Sequence, residues 1–178
     1  MPIAFLISIL LTFTASLLPQ APQTENEVVV HYTARSSKTR FDFKTKAGKN
    51  YILAVSRDQN VAPNAEPSSV KVVGEIKGTA IIFVDTYPSI PGGMSFCGAG
   101  EEGFLRIVSI SGRQPIETFR MKVESCRSSI ELSSPGIEWD PEKATLRVHR
   151  FVGLDDKRSI KVSTIKIDQQ GKAENQEG

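Results

Sequence analysis

Polar and apolar residues alternate along most of the chain. In Arg40-Phe41-Asp42-Phe43-Lys44-Thr45-Lys46 the phenylalanines fall on one face and the charges on the other, the period of a strand with one face on a core and one in water. Phe119-Arg120-Met121-Lys122-Val123-Glu124 repeats it, as do Leu146-Arg147-Val148 and Ile160-Lys161-Val162. After the last of these the parity flips through Ser163-Thr164 to Ile165-Lys166-Ile167, which predicts a β-bulge or a bend from one sheet to another. Residues 28–30, 51–55, 80–84 and 104–110 carry apolar side chains on both faces and predict central strands covered on both sides.

The breaks between these runs have turn chemistry. Ala47-Gly48-Lys49-Asn50 separates two strands, and Asp140-Pro141-Glu142-Lys143 puts proline where a type I turn wants its fixed φ. Each predicts a hairpin. A helical turn fits only near residues 114–117, since no longer window combines a 3.6-residue period with caps. About eight or nine short strands at roughly ten-residue spacing predict an all-β fold. The expected architecture is an antiparallel β-sandwich, Ig-like or related, with a small β-barrel as the alternative. It spans residues 22–167 as one domain, with residues 57–69 a solvated loop and residues 168–178 a flexible polar tail.

The N-terminus changes the picture from fold to compartment. Residues 3–18 form an uncharged apolar run, and the first charged side chain is Glu25. A membrane span needs roughly 20 apolar residues, whereas this length suits the h-region of a secretory signal. Residues 1–21 are therefore read as a signal peptide cleaved near 16–21, with a retained N-terminal anchor as the alternative. No Lys or Arg precedes the run, and Pro22 follows the small residue Ala21. The expected location is periplasmic or secreted, with no membrane contact after cleavage.

Cys97 and Cys126 are the only cysteines. In an oxidising compartment they predict one structural disulfide, whose loop of about thirty residues corresponds to roughly 3–4 kcal/mol of denatured-state entropy. His31 and His149 are distant in sequence from both, so no zinc site is expected. The formal charge of +2 over 178 residues advertises no nucleic-acid partner.

Residues 86–103 depart most from strand grammar, with five of the thirteen glycines and two of the ten prolines. Long loops in compact domains are usually either functional or disordered, and the apolar content of this one argues against disorder. A loop preordered by Pro88, Pro91 and a Cys97 anchor would lose little entropy on binding. Tyr87, Ile90, Met94 and Phe96 are its candidate apolar contacts and Glu101 and Glu102 its candidate charged ones. The alternative is that these side chains cap the end of the core.

Other chemistry finds little support. Gly98-Ala99-Gly100-Glu101-Glu102-Gly103 lacks the Lys-Ser/Thr of a phosphate loop. Glu101 and Glu102 would point to opposite faces of a regular strand, which disfavours an acid/base pair, or a calcium site with Asp85 or Asp155-Asp156. Gly93-Met94-Ser95-Phe96-Cys97 lacks the second glycine of a nucleophile elbow. No catalytic residue, metal or cofactor is assigned. Arg35, Lys38, Arg40, Lys44, Lys46 and Lys49 face one acid, Asp42; they read as a solvated edge strand or as a site for an acidic partner or anionic polysaccharide.

The sequence therefore predicts an exported, non-enzymatic domain that binds a protein through a disulfide-anchored loop. Its most concrete form is a periplasmic inhibitor or immunity protein that blocks a cell-envelope-targeting enzyme or toxin. The alternative is a carbohydrate-binding or adhesion-type module using the basic face or Trp139.

Overall fold

The computed structural model describes residues 28–35, 38–45, 48–90, 100–153 and 157–177. The expected signal peptide lies outside them.

Eleven strands follow one another: β1 (Val29–Arg35), β2 (Lys38–Lys44), β3 (Asn50–Ser56), β4 (Ser69–Ile76), β5 (Ala80–Pro88), β6 (Glu101–Ser109), β7 (Ile116–Ser125), β8 (Ile130–Asp140), β9 (Thr145–Val152), β10 (Ser159–Ile167) and β11 (Ala173–Glu177). They make two antiparallel sheets, a small one in the order β1-β2-β3 and a large one running β11-β10-β9-β8-β7-β6-β5-β4. The fold is all-β and sandwich-like, and it is not closed into a barrel. The two hairpins expected from turn chemistry join β2 to β3 and β8 to β9. In the second, Asp140 Oδ1 accepts the N–H groups of Glu142 and Lys143, each at 3.1 Å.

Two cores lie on opposite faces of β5 and β6. On one face, Ile81, Phe83, Val108 and Ile110 pack against Phe41, Phe43, Leu53 and Val55 of the small sheet. The Phe83 ring sits 5.0 Å and 5.1 Å from those of Phe41 and Phe43. On the other face, Ala80, Ile82, Leu105, Ile107 and Val123 meet Leu146, Val148, Ile165 and Ile167. This contact exists because β7 and β8 share only the pair Ser125↔Ile130. Beyond it the large sheet splits, and β8–β11 fold back over β5–β7. Each buried aliphatic or aromatic side chain contributes about 1.5–3 kcal/mol, so the doubly covered β5 and β6 form the structural centre, as the apolar side chains on both of their faces predict.

Several sequence expectations are corrected. Residues 51–55 lie in the edge strand β3 and residues 29–30 in the edge strand β1, not in central ones. Leu53 and Val55 point inward, while Ile52 is 51% and Val29 43% exposed. The parity flip in β10 involves no bulge, because its pairing with β9 runs without a shift from Ser159 to Lys166. Ser163, Ile165 and Ile167 face inward, and Ile160 and Val162 are left on the outer face. A register break occurs instead in β8, between Leu132 and Ile137.

Two segments expected to be loose are held. Residues 57–68 run back along the end of β5: Val61 bridges Ser89 and is 4% exposed, and Ser68 N–H donates to Thr86 O at 2.7 Å. Residues 173–177 are not a frayed tail but pair with β10. The preceding turn docks through Ser109 Oγ, which donates to Gln170 O, and Thr118 Oγ1, which donates to Gly171 O, both at 2.6 Å. Residues 114–117 form no helical turn, since β7 begins at Ile116.

Candidate functional site

The β5–β6 ladder continues past the strands to the base of residues 91–99, which are themselves outside the described residues. Ser89 N–H donates to Gly100 O at 2.9 Å, and Ile90 N–H to Asn60 O at 2.8 Å. The turn after β7 closes the other side: Cys126 N–H donates to Glu101 O at 3.2 Å, and Arg127 Nη2 donates to Ile90 O at 3.1 Å. Both ends of the segment are thus fixed by one clamp, drawn from residues 60, 89–90, 100–101 and 126–127.

Beneath this clamp the two adjacent glutamates diverge, as strand geometry requires. Glu102 is fully buried on the face toward β3. It accepts Ser89 Oγ–H at 3.0 Å and Lys122 Nζ–H at 3.0 Å, and Lys122 reaches on to Asp58 Oδ1 at 3.3 Å. Burial pushes the Asp58 carboxyl up, but the Asn60 N–H and Lys122 outweigh it and hold the group below its ordinary range. Tyr87, on the same face, is 1% exposed and packs with Phe104 and Val61. Burial, and then the Asp85 carboxylate, hold its phenol well above the usual value. The expectation that Tyr87 and Glu102 are presented to a partner is therefore corrected. Their side chains fill the interior that supports the loop base.

Further along this face lies a buried ion pair. Arg106 Nε donates to Asp85 Oδ1 at 2.7 Å, with the two side chains 1% and 0% exposed. Arg106 Nη1 reaches Glu117 at 2.9 Å. Burial works against the Arg106 charge, and Asp85 followed by Glu117 more than restores it. Asp85 Oδ1 is thereby committed to Arg106.

Glu101 points to the opposite face, into a cleft of about 480 Å³ lined by Glu124, Ser125, Cys126, Glu131 and Arg158 among others. Gly103 opposes Glu124 in the ladder, and a β-carbon on Gly103 would come within 2.9 Å of Glu124 Cβ, so only glycine leaves that side chain its path. Burial first, then the charges of Glu101, Glu131 and Glu102, raise the Glu124 carboxyl above its ordinary value. Arg158 pairs with Glu131 and covers the Phe151 ring at 4.4 Å. Among the described residues no group of three His, Cys, Asp or Glu is placed to hold a metal ion.

Of the sequence candidates, Ile90 is half-buried at the clamp and Glu101 lines the cleft. Met94, Phe96 and Cys97 lie outside the described residues, and so does the expected Cys97–Cys126 pairing. Trp139 is half-buried, packed on the second core. His149 Nε2 lies 3.0 Å from Glu138, a pairing that their spacing across the β8–β9 hairpin conceals. Sequence reasoning also missed Asn60, Lys122, Glu124, Arg127 and Glu131, because pairing across strands, not proximity in the chain, brings them to the loop base.

The chain matches no protein-family model, no curated protein and no solved structure.

Proposed function

We propose that this protein is an exported, non-enzymatic domain that binds a protein partner through residues 86–103. In its most concrete form it is a periplasmic inhibitor or immunity protein that blocks a cell-envelope enzyme or toxin. The observation that carries this reading is the clamp. Ser89, Ile90, Gly100 and Glu101 are fixed from both sides by residues 60 and 126–127, so a loop leaving this base starts from an ordered frame and loses less entropy on binding.

The chemistry beside the clamp supports a basic group on the partner. Among the described residues, Glu101, Glu124 and Glu131 share the cleft with one cation, Arg158, and the Glu124 carboxyl is raised first by burial and then by the negative charge of its acidic neighbours. A lysine or arginine entering there would relieve it, while Ile90, Met94 and Phe96 supply apolar contact. A disulfide between Cys97 and Cys126 is part of the proposal. These are the chain's two cysteines, an even number that suits an oxidising compartment. Tyr87 and Glu102 act from below as supports.

The test is capture and cross-linking from a cell-envelope extract, followed by assay of the recovered enzyme. Wild-type protein is expected to retain a specific enzyme and inhibit it. The double variant Glu101→Lys/Glu124→Lys, checked for a folded spectrum, should bind at least about tenfold more weakly, or roughly 1.4 kcal/mol. Equal capture and inhibition by both would overturn the assignment.

A further inference from the structure

The outer face of the small sheet carries chemistry that the loop proposal does not use. The register places three side chains abreast in each row: Val29, Lys44 and Asn50; His31, Asp42 and Ile52; Thr33, Arg40 and Ala54. Lys38 and Ser56 continue the pattern. The aromatic residues of β2, Phe41 and Phe43, point the other way and are buried. Three of the four outward positions on β2 are therefore cations. The one acid, Asp42, already accepts Arg40 Nε–H at 3.2 Å, with both side chains well exposed. Three cations less one acid leave a charge of +2 along the outward side of β2.

We propose that this face binds a linear anionic polysaccharide laid along β2. Alternate residues on a strand lie about 6.8 Å apart, inside the roughly 8 Å screening length at physiological salt. Lys38 and Arg40 therefore act on one anionic group together, while Lys44, about 14 Å beyond Arg40 along the strand, meets a later anionic group of the same linear chain. The flanking rows supply Thr33, Ser56, Asn50 and His31, side chains that exchange hydrogen bonds with sugar hydroxyls. Exposed Val29 and Ile52 offer apolar contact to the C–H faces of a ring. A shallow depression of about 350 Å³, bordered by His31, Arg40, Asp42, Lys44, Asn50 and Ile52, gives one anionic sugar a seat. Single-stranded nucleic acid fits less well, because its affinity draws on outward aromatic rings for base stacking, and these rows offer the imidazole of His31 but no Phe, Tyr or Trp ring.

The experiment measures binding of the full chain to heparin and to polygalacturonate oligomers, with neutral dextran and single-stranded DNA as comparisons. Both acidic glycans are expected to bind with an affinity that falls as salt rises, dextran should not bind, and DNA should bind more weakly. Lys38→Gln/Arg40→Gln/Lys44→Gln should weaken glycan binding at least about tenfold. Lys143→Gln/Lys166→Gln/Lys172→Gln removes the same charge from other exposed positions and should leave it unchanged. Equal loss in the two triple variants reduces the effect to net charge and overturns the proposal. So does DNA binding as tight as glycan binding, or no glycan binding at all. None of these outcomes bears on the loop, since Glu101 and Glu124 stay intact in both variants.

Discussion

Trp139 rests on Gly74: a β-carbon at position 74 would lie 2.5 Å from both Cδ1 and Nε1 of the indole. Gly74 sits at the register break of β4 and Trp139 near the end of β8. This contact joins the two free-standing margins of the split large sheet without hydrogen-bonding them.

Gly74→Ala should therefore push the indole out of its seat. Overpacking of this kind costs about 1–3 kcal/mol. Trp139 is the only tryptophan, so its fluorescence should shift to the red in the native state while urea unfolding moves to lower concentration. An unchanged spectrum would show that the ring does not pack there.

The Asp85–Arg106 pair predicts a non-additive pair of mutations. Arg106→Met leaves a fully buried carboxylate without its cation and should destabilise by about 3–5 kcal/mol. Asp85→Leu/Arg106→Met removes both charges, and Glu117 is 24% exposed and can turn to water. The double variant should recover much of the loss. Denaturant midpoints of both single variants and the double one complete the cycle.

Gly171 has φ +76°, and a β-carbon there would meet Thr79 O at 2.8 Å and Ser109 Oγ at 2.9 Å. Gly171→Ala should cost about 1–3 kcal/mol through the left-handed backbone and the clash together. Amide exchange in β11 should rise more than in β5, because the turn carrying Gln170 and Gly171 is what docks the last strand.

Two carboxyl groups give the stability opposite dependences on pH. Asp58 is held below its ordinary range by Asn60 and Lys122 against the effect of burial. Its contribution is present above the ordinary aspartate range and is lost as pH falls through the depressed value. Glu124 is raised by burial and by its acidic neighbours, so the folded state holds that proton longer than the unfolded state. Its effect is a decline in stability as pH climbs from the ordinary glutamate range through the raised value. Urea midpoints across pH should show Asp58→Asn flattening the acid limb and Glu124→Gln flattening the decline on the way to neutrality.

The strand content and both hairpins follow from alternation and turn residues in the sequence, because those signals are local. The central place of β5 and β6 also follows, since an unbroken apolar run such as Ala80-Ile81-Ile82-Phe83-Val84 has no face to give to water. Residues 51–55 look similar in sequence, yet β3 is an edge strand with Ile52 exposed. Composition does not distinguish covering by a second layer from its absence. Arg106 stands out in an apolar strand, but its acid is 21 residues back, and only the β5–β6 register puts Asp85 beside it. The divergence of Glu101 and Glu102 was determined by sequence through the two-residue period. Which of them meets Lys122 in the interior and which lines the cleft with Glu124 was decided by tertiary structure. The split after Ser125 folds one half of the sheet over the other, and that event gives each face its surroundings.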